Sequence, residues 1–172
     1  MKTLLFLFLF TNSPFQWESN HKLQWIDYQG VYDNSEASAS TCTELYMDMK
    51  KDSSGGVVFN VKAIFHPESS FISPTCSKSK YALKHEQLHF DITEVYARQL
   101  RLLLHTMQHT KNQNNIKIAG YFYEFVKDEW NRAEDRYDLE SLHSQNGFNQ
   151  RKWERLIKEK LEKSQKYADK LN

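Results

Sequence analysis

The rhythm of hydrophobic and polar positions changes near the middle of the chain. Residues 22–30, 41–50 and 57–66 carry β-branched and aromatic residues in partial alternation. Lys51-Asp52-Ser53-Ser54-Gly55-Gly56 is turn material between the last two. The pattern predicts a strand ending at Gly30 and a hairpin over 41–66. Pro67 and Pro74 interrupt the chain, and from Tyr81 to Leu104 there is no Gly or Pro and apolar residues return at helical spacing. Leu88, Ile92, Val95, Gln99 and Leu102 form the packing side of that helix, with Lys84, Asp91, Arg98 and Arg101 on the solvated side. Its start falls near Ser77 or Ser79. Two more helices follow, one from Gly120 to about residue 136 and a charged one over 150–171 around Trp153, Leu156, Ile157 and Leu161. The expected fold class is α+β: a small N-terminal antiparallel sheet packed on a long helix, with two further C-terminal helices.

The N-terminus departs from this plan. Met1 to Ser13 pairs one positive charge with a seven-residue apolar run, Leu4 to Phe10, far short of the ~20 residues that span a bilayer. It reads as a signal peptide over residues 1–16, leaving a single domain over 17–172. The expectation is an exported protein, periplasmic or secreted, with no stable membrane insertion once the signal is removed. No Ala-x-Ala cleavage site follows the run, so an uncleaved or buried apolar start is the alternative. No cysteine stands just after the run to offer a lipid-attachment site there.

A length of 172 residues suits one compact unit. The net charge of +1, with Lys and Arg scattered, provides no electrostatic footprint for nucleic acid. Oligomeric state is not encoded in any pattern here. The two cysteines, Cys42 and Cys76, are candidates for a disulfide in an oxidising compartment, with two free buried thiols as the alternative.

The chemistry concentrates at His85-Glu86-Gln87-Leu88-His89. Two histidines four apart on a helix lie about 40° from one another at ~3.6 residues per turn, so their imidazoles can hold one Zn²⁺. Glu86 falls beside the metal, where it can act as general base toward a zinc-bound water. That is peptide-bond hydrolysis chemistry. The blander alternative is a pair of hydrogen-bonded histidines around an ordinary helix-forming glutamate. His105 and His109 share the spacing but lack the glutamate and lead into the polar run 110–115, which reads as a solvated helix end. Asp91 and Glu94 lie well around the helix from the ligand face and read as structural, Glu94 pairing with Arg98.

A catalytic zinc needs a third protein ligand. Tyr137-Asp138-Leu139-Glu140-Ser141-Leu142-His143-Ser144-Gln145-Asn146-Gly147, expected to join two helices, is dense in groups that can ligate or orient a metal. Asp138 and Glu140 are possible ligands or hydrogen-bond partners of the ligating imidazoles. Tyr137 could donate to a developing oxyanion, or simply pack in the core.

These residues carry a likeness to a known family. Leu23 to Gly30, Ala37 to Thr41, Phe65 to Phe71, and above all Leu83 to Glu94 and Tyr137 to His143, resemble the bacterial family catalogued as domain of unknown function nine hundred and twenty-two. Its members are described as predicted secreted zinc-dependent proteases. The resemblance implies a zincin-like site with His85 and His89 as ligands, Glu86 as general base and His143 as third ligand. In the family pattern this last segment has threonine and then His-Gly. Here Ser141 stands for the threonine, Ser144 follows the histidine, and Gly147 comes later.

The resulting expectation is a secreted zinc-dependent peptidase acting on a protein or peptide substrate. The rival is a non-catalytic envelope protein whose structural zinc is closed by a fourth ligand from His66, Asp138 or Glu140. A third reading, a metal-free binding module exposing Trp17, Trp25 and Phe71, leaves Glu86 between two histidines unexplained.

Overall fold

The computed structural model describes residues 13–34 and 37–168. Most of the expected signal segment, residues 1–12, lies outside these, as does the end of the last predicted helix beyond residue 168. The fold is α+β, with a small antiparallel sheet and three helices. Strand β1 (Phe15–Gln16) is followed by β2 (Ala39–Ser40), β3 (Thr43–Lys51), β4 (Val57–Phe65) and β5 (Phe71–Ile72), then α1 (Lys80–Leu104), α2 (Gln113–Ser141) and α3 (Gly147–Lys163). One sheet has the order β1-β4-β3; β2 and β5 pair separately. Among the described residues, no helix is long and apolar enough to cross a membrane.

The hairpin forms as its pattern predicts. β3 and β4 run antiparallel from Thr43 opposite Phe65 to Lys51 opposite Val57. Asp52 closes the turn by accepting hydrogen bonds at Oδ1 from the Ser54 and Gly56 amides. Phe59, Val61, Ala63 and Phe65 alternate inward against α1, as period-two burial requires. Phe15 and Gln16 pair with Phe65 and Ile64, and the Phe15 ring packs on Phe65 and Phe90. The folded unit thus begins two residues before the boundary drawn after residue 16.

Residues 22–30 do not form the expected strand. They hold a single 3-10 turn, Trp25–Asp27, closed by Asp27 Oδ2 accepting from the Gln24 amide. Leu23 donates its amide to the Gln87 side chain and Trp25 Nε1 donates to the Lys78 carbonyl. The apolar residues of this segment anchor a loop to α1, and its backbone pairs through side chains and 3-10 bonds instead of a ladder. Trp17 is buried and hydrogen-bonded to Asp91, and Trp25 and Phe71 are half-buried, so these aromatics form no exposed binding face.

α1 starts after Ser79, whose hydroxyl accepts from the Ala82 amide. It runs through the centre of the molecule, packed against β3, β4, α2 and α3, and is therefore buried on nearly every side. Leu88, Ile92 and Val95 are core residues as expected, but Leu102 is half exposed, and the solvated side is misassigned for Arg98 and Arg101, both fully buried. Their guanidinium groups share the buried Glu94 carboxylate: Arg98 Nε and Arg101 Nη1 lie 2.8 and 2.9 Å from Glu94 Oε1. They also donate to carbonyls of Val61, Leu161 and Tyr167, tying α1 to β4 and to the segment 161–167.

α2 is longer at both ends than the pattern 120–136 suggested. Asn112 caps its start by accepting from the Asn114 amide, and its last turns carry Tyr137 to Ser141 inside the helix. It stops at Leu142, the first of three successive left-handed residues with His143 and Ser144 (φ 50°, 47° and 70°). A left-handed non-glycine residue costs roughly 1–2 kcal/mol, so this corner is held by its surroundings: the His143 and Asn146 amides return to the Asp138 and Ser141 carbonyls.

Candidate metal centre

α1 and α2 cross so that His85 and His89, one turn apart, face Asp138. His85 Nε2 and His89 Nε2 are 3.3 Å apart, and Asp138 Oδ1 is 3.2 and 3.1 Å from them. The three atoms form a near-equilateral triangle. The edge of a tetrahedron with Zn–N bonds of about 2.0–2.1 Å is roughly 3.3 Å, so the spacing fits three corners of a tetrahedral zinc site.

The donor chemistry points the same way. Glu134 Oε2 holds His89 at Nδ1, which places the proton there and turns the Nε2 lone pair toward His85 and Asp138. Asp138 Oδ1 is buried and takes no well-directed hydrogen bond, although both Nε2 atoms are in range. Electron pairs converging in a buried space attract a cation. Burial opposes a charge on His89, yet Glu134 and Asp138 outweigh it and hold the imidazole pKa well above its ordinary value, so a cation bound there would displace the Nε2 proton and expose the lone pair. Burial likewise opposes ionisation of Asp138, but the His85 and His89 imidazoles beside it hold its carboxyl below the usual carboxylate range. Among the described residues, His85, His89 and Asp138 are the group that could hold a metal ion.

Surrounding contacts fix the triangle. Glu134 Oε1 accepts from Trp130 Nε1 at 2.8 Å, and Thr93 links the Glu134 side of α1 to Thr43 of β3 (Oγ1 to Oγ1, 2.8 Å). Tyr137 is stacked on the His85 ring at a centroid distance of 4.7 Å. Its hydroxyl donates to the His85 carbonyl within the core, so it is a packing residue with no access to an oxyanion. Burial raises its pKa. Glu140 faces away, accepting from Trp153 Nε1 of α3. Asp138 is the side chain that meets the two imidazoles, whereas His143 lies beyond the end of α2, with a side chain 75% exposed and Nδ1 3.6 Å from Asp138 Oδ1. His66 pairs with Glu44 and lies outside the cluster.

No protein-family profile matches this chain, and it matches no curated protein and no solved structure.

Glu86 Oε2 accepts a 2.6 Å hydrogen bond from Thr41 Oγ1, which is 2.8 Å from the Tyr28 hydroxyl. Thr41 has one proton, spent on Glu86, so Tyr28 donates to Thr41. Burial, then the Glu86 charge, raises the Tyr28 pKa and keeps it a donor. Glu86 and Thr41 line a cleft of about 960 Å³, walled on one side by residues 37–43 and on the other by Trp130, Asn131, Glu134 and the 143–145 corner. Cys42 and Cys76 also line it. The expected disulfide is not formed: both thiols are free and half-buried. Burial pushes the Cys42 pKa up.

Sequence reasoning missed Glu134, Thr41, Tyr28 and Thr93. Glu134 had a readable signal: it lies four residues before Asp138, the same one-face spacing as His85 and His89. The partners of Glu86 had none, being loop residues more than forty positions upstream.

Proposed function

We propose that this protein is an exported zinc-dependent peptidase, with His85, His89 and Asp138 as zinc ligands and Glu86 as general base. The observation that carries the reading is the triangle of two imidazole nitrogens and one carboxylate oxygen, 3.1–3.3 Å on a side, beside Glu86 in an open cleft. Three protein donors with a remaining open position is the arrangement of a catalytic zinc, whereas a structural zinc is closed by four. Among the described residues no fourth donor joins the three. Export rests on the apolar run Leu4 to Phe10 behind Lys2, and the likeness to domain of unknown function nine hundred and twenty-two belongs to the same reading.

Zinc, when bound, supplies Lewis-acid chemistry, polarising a carbonyl and making a water acidic near neutral pH. The chain supplies the proton handling. Thr41 occupies Glu86 Oε2 and keeps the carboxylate in one rotamer, leaving Oε1 to accept the proton of the attacking water. The same proton passes to the amine nitrogen as the C–N bond breaks, so the carboxylate is regenerated.

The test is zinc stoichiometry read beside cleavage of a mixed peptide pool. Asp138→Asn is expected to weaken zinc binding by one to two orders of magnitude or more, with cleavage lost in proportion. His143→Ala is expected to keep stoichiometric zinc. Full zinc in Asp138→Asn together with loss in His143→Ala would reverse the ligand assignment, and zinc-loaded wild type that cleaves nothing would overturn the enzyme reading.

The Tyr28–Thr41–Glu86 chain yields a separate expectation. Thr41→Val should lower kcat by about tenfold with KM and zinc content unchanged, and Thr41→Ser, which restores the hydroxyl, should recover most of it. An unchanged kcat in Thr41→Val would mean that Glu86 needs no such support.

A further inference from the structure

Among the described residues, nothing covers a second face of α2. Ile118, Tyr121, Phe125 and Leu139 are exposed along it, Tyr121 and Leu139 by 74% and 72%. At about 100° per residue, these four fall with Glu129, Arg132 and Arg136 within about 80° of one another, a single stripe along the helix. Leu142, also exposed, continues the stripe just past the helix end. The stripe is apolar toward both ends and charged in the middle, and exposed apolar groups gathered in this way mark a contact surface.

The stripe is complementary to itself read backwards. In a two-fold antiparallel contact every residue meets one from the other copy, and all the pairs share one centre. Ile118 with Leu142, and Tyr121 with Leu139, are both centred on position 130. Phe125 with Arg136, and Glu129 with Arg132, are centred just past it. Antiparallel copies therefore set apolar side chains against apolar ones at the ends and carboxylate against guanidinium at the centre. Glu129 already holds Arg132 of its own helix at 2.6 Å, so two copies join two such ion pairs into an alternating set of four charges. The Arg136 guanidinium is fixed over the Trp153 ring, where Phe125 of the other copy can pack on it. Asp128 and Glu129 balance Arg132 and Arg136, so the centre carries no net charge to repel its copy. A parallel pair would instead place Glu129 on Glu129 and Arg132 on Arg132.

From this symmetry we infer that the protein pairs with a second copy of itself through antiparallel α2 helices, over the roughly 36 Å from Ile118 to Leu142. The contact face is turned away from the metal centre. Trp130, Asn131, Glu134 and Asp138, which line the cleft, lie about 120–220° around the helix from Ile118. Pairing therefore leaves the cleft open in both copies, and the inference stands or falls independently of the peptidase reading.

The experiment is sedimentation equilibrium of the full chain from about 1 to 200 µM, a range that brackets weak and ordinary self-association. Wild type is compared with Tyr121→Glu, with Arg132→Glu, and with the exchange that combines Glu129→Arg and Arg132→Glu. Tyr121 and Arg132 are solvent-exposed, and circular dichroism checks that each variant keeps the fold.

Wild type is expected to reach twice the 20.5 kDa mass of one chain at the upper concentrations. Tyr121→Glu should raise the dissociation constant roughly 30-fold or more, because the two-fold axis removes an aromatic anchor twice. Arg132→Glu gathers like charges at the centre and should leave the protein monomeric, while the exchange, which keeps opposite charges facing each other, should restore the dimer. A monomer at every concentration, or a dimer that survives both single substitutions, overturns the inference. So does an exchange variant that stays monomeric, since the antiparallel register requires the rescue. If one single substitution alters the fold, the other and the exchange decide.

Discussion

Replacing Glu86 by glutamine is expected to lower kcat/KM for peptide cleavage by about 10²–10⁴-fold, the range that a positioned general base contributes. The substitution keeps the shape of the side chain and an oxygen that can accept from Thr41 (2.6 Å in the native protein), so the Tyr28–Thr41 arm should stay in place. It removes only the ability to take a proton. Zinc content should be unchanged, because the proposed ligands are His85, His89 and Asp138. Measuring kcat/KM beside bound zinc separates the roles. Wild-type activity in Glu86→Gln would remove Glu86 as the base, and loss of zinc with the activity would make it a ligand.

Glu94→Gln should have the largest effect on stability. Glu94, Arg98 and Arg101 are each no more than 2% exposed, and one carboxylate serves two guanidinium groups. Backbone carbonyls of Val61, Leu161 and Tyr167 share the remaining N–H groups. Neutralising Glu94 leaves two buried positive charges with dipoles alone, and breaking a buried ion pair costs about 3–5 kcal/mol. Against a total stability on the order of 5–15 kcal/mol that is a large fraction. At about 2–4 °C per kcal/mol for a domain of this size, the melting temperature should fall by roughly 10 °C. A fall of only a degree or two would mean that the carbonyls suffice. Because Arg98 and Arg101 grip the C-terminal end of α3 and the turn after it, loss of Glu94 should also raise proteolytic cleavage there before global unfolding.

The two variants probe successive stretches of one helix, and their difference follows from what each side chain faces. At the first turns of α1, His85, Glu86 and His89 border an open cleft and their polar groups are presented to a ligand. Two to three turns later the charged residues are sealed between sheet and helices, where they hold the Leu161 and Tyr167 carbonyls. Sequence periodicity treated Arg98 and Arg101 as solvated because charge is normally exposed. Their burial depends on partners at 61, 161 and 167 that no local window contains.

The parts legible in the chain itself are those governed by short-range geometry. The 3.6-residue period puts His85 and His89 on one face whatever surrounds them. The turn residues 52–56 and the alternation on either side set the hairpin register, and Ser79 marks the start of α1 through its own hydroxyl. What tertiary structure alone decided is which groups meet the two imidazoles and Glu86. Residues 137–141 looked like a linker, but they complete α2, and only the crossing of α2 over α1 brings Asp138 to the two imidazoles while leaving His143 beyond the helix end. The same crossing supplies Glu134 to His89, and the fold of the N-terminal segment brings Thr41 and Tyr28 to Glu86. Local spacing determines which atoms one helix can present together, whereas the packing of distant elements determines which atoms meet them.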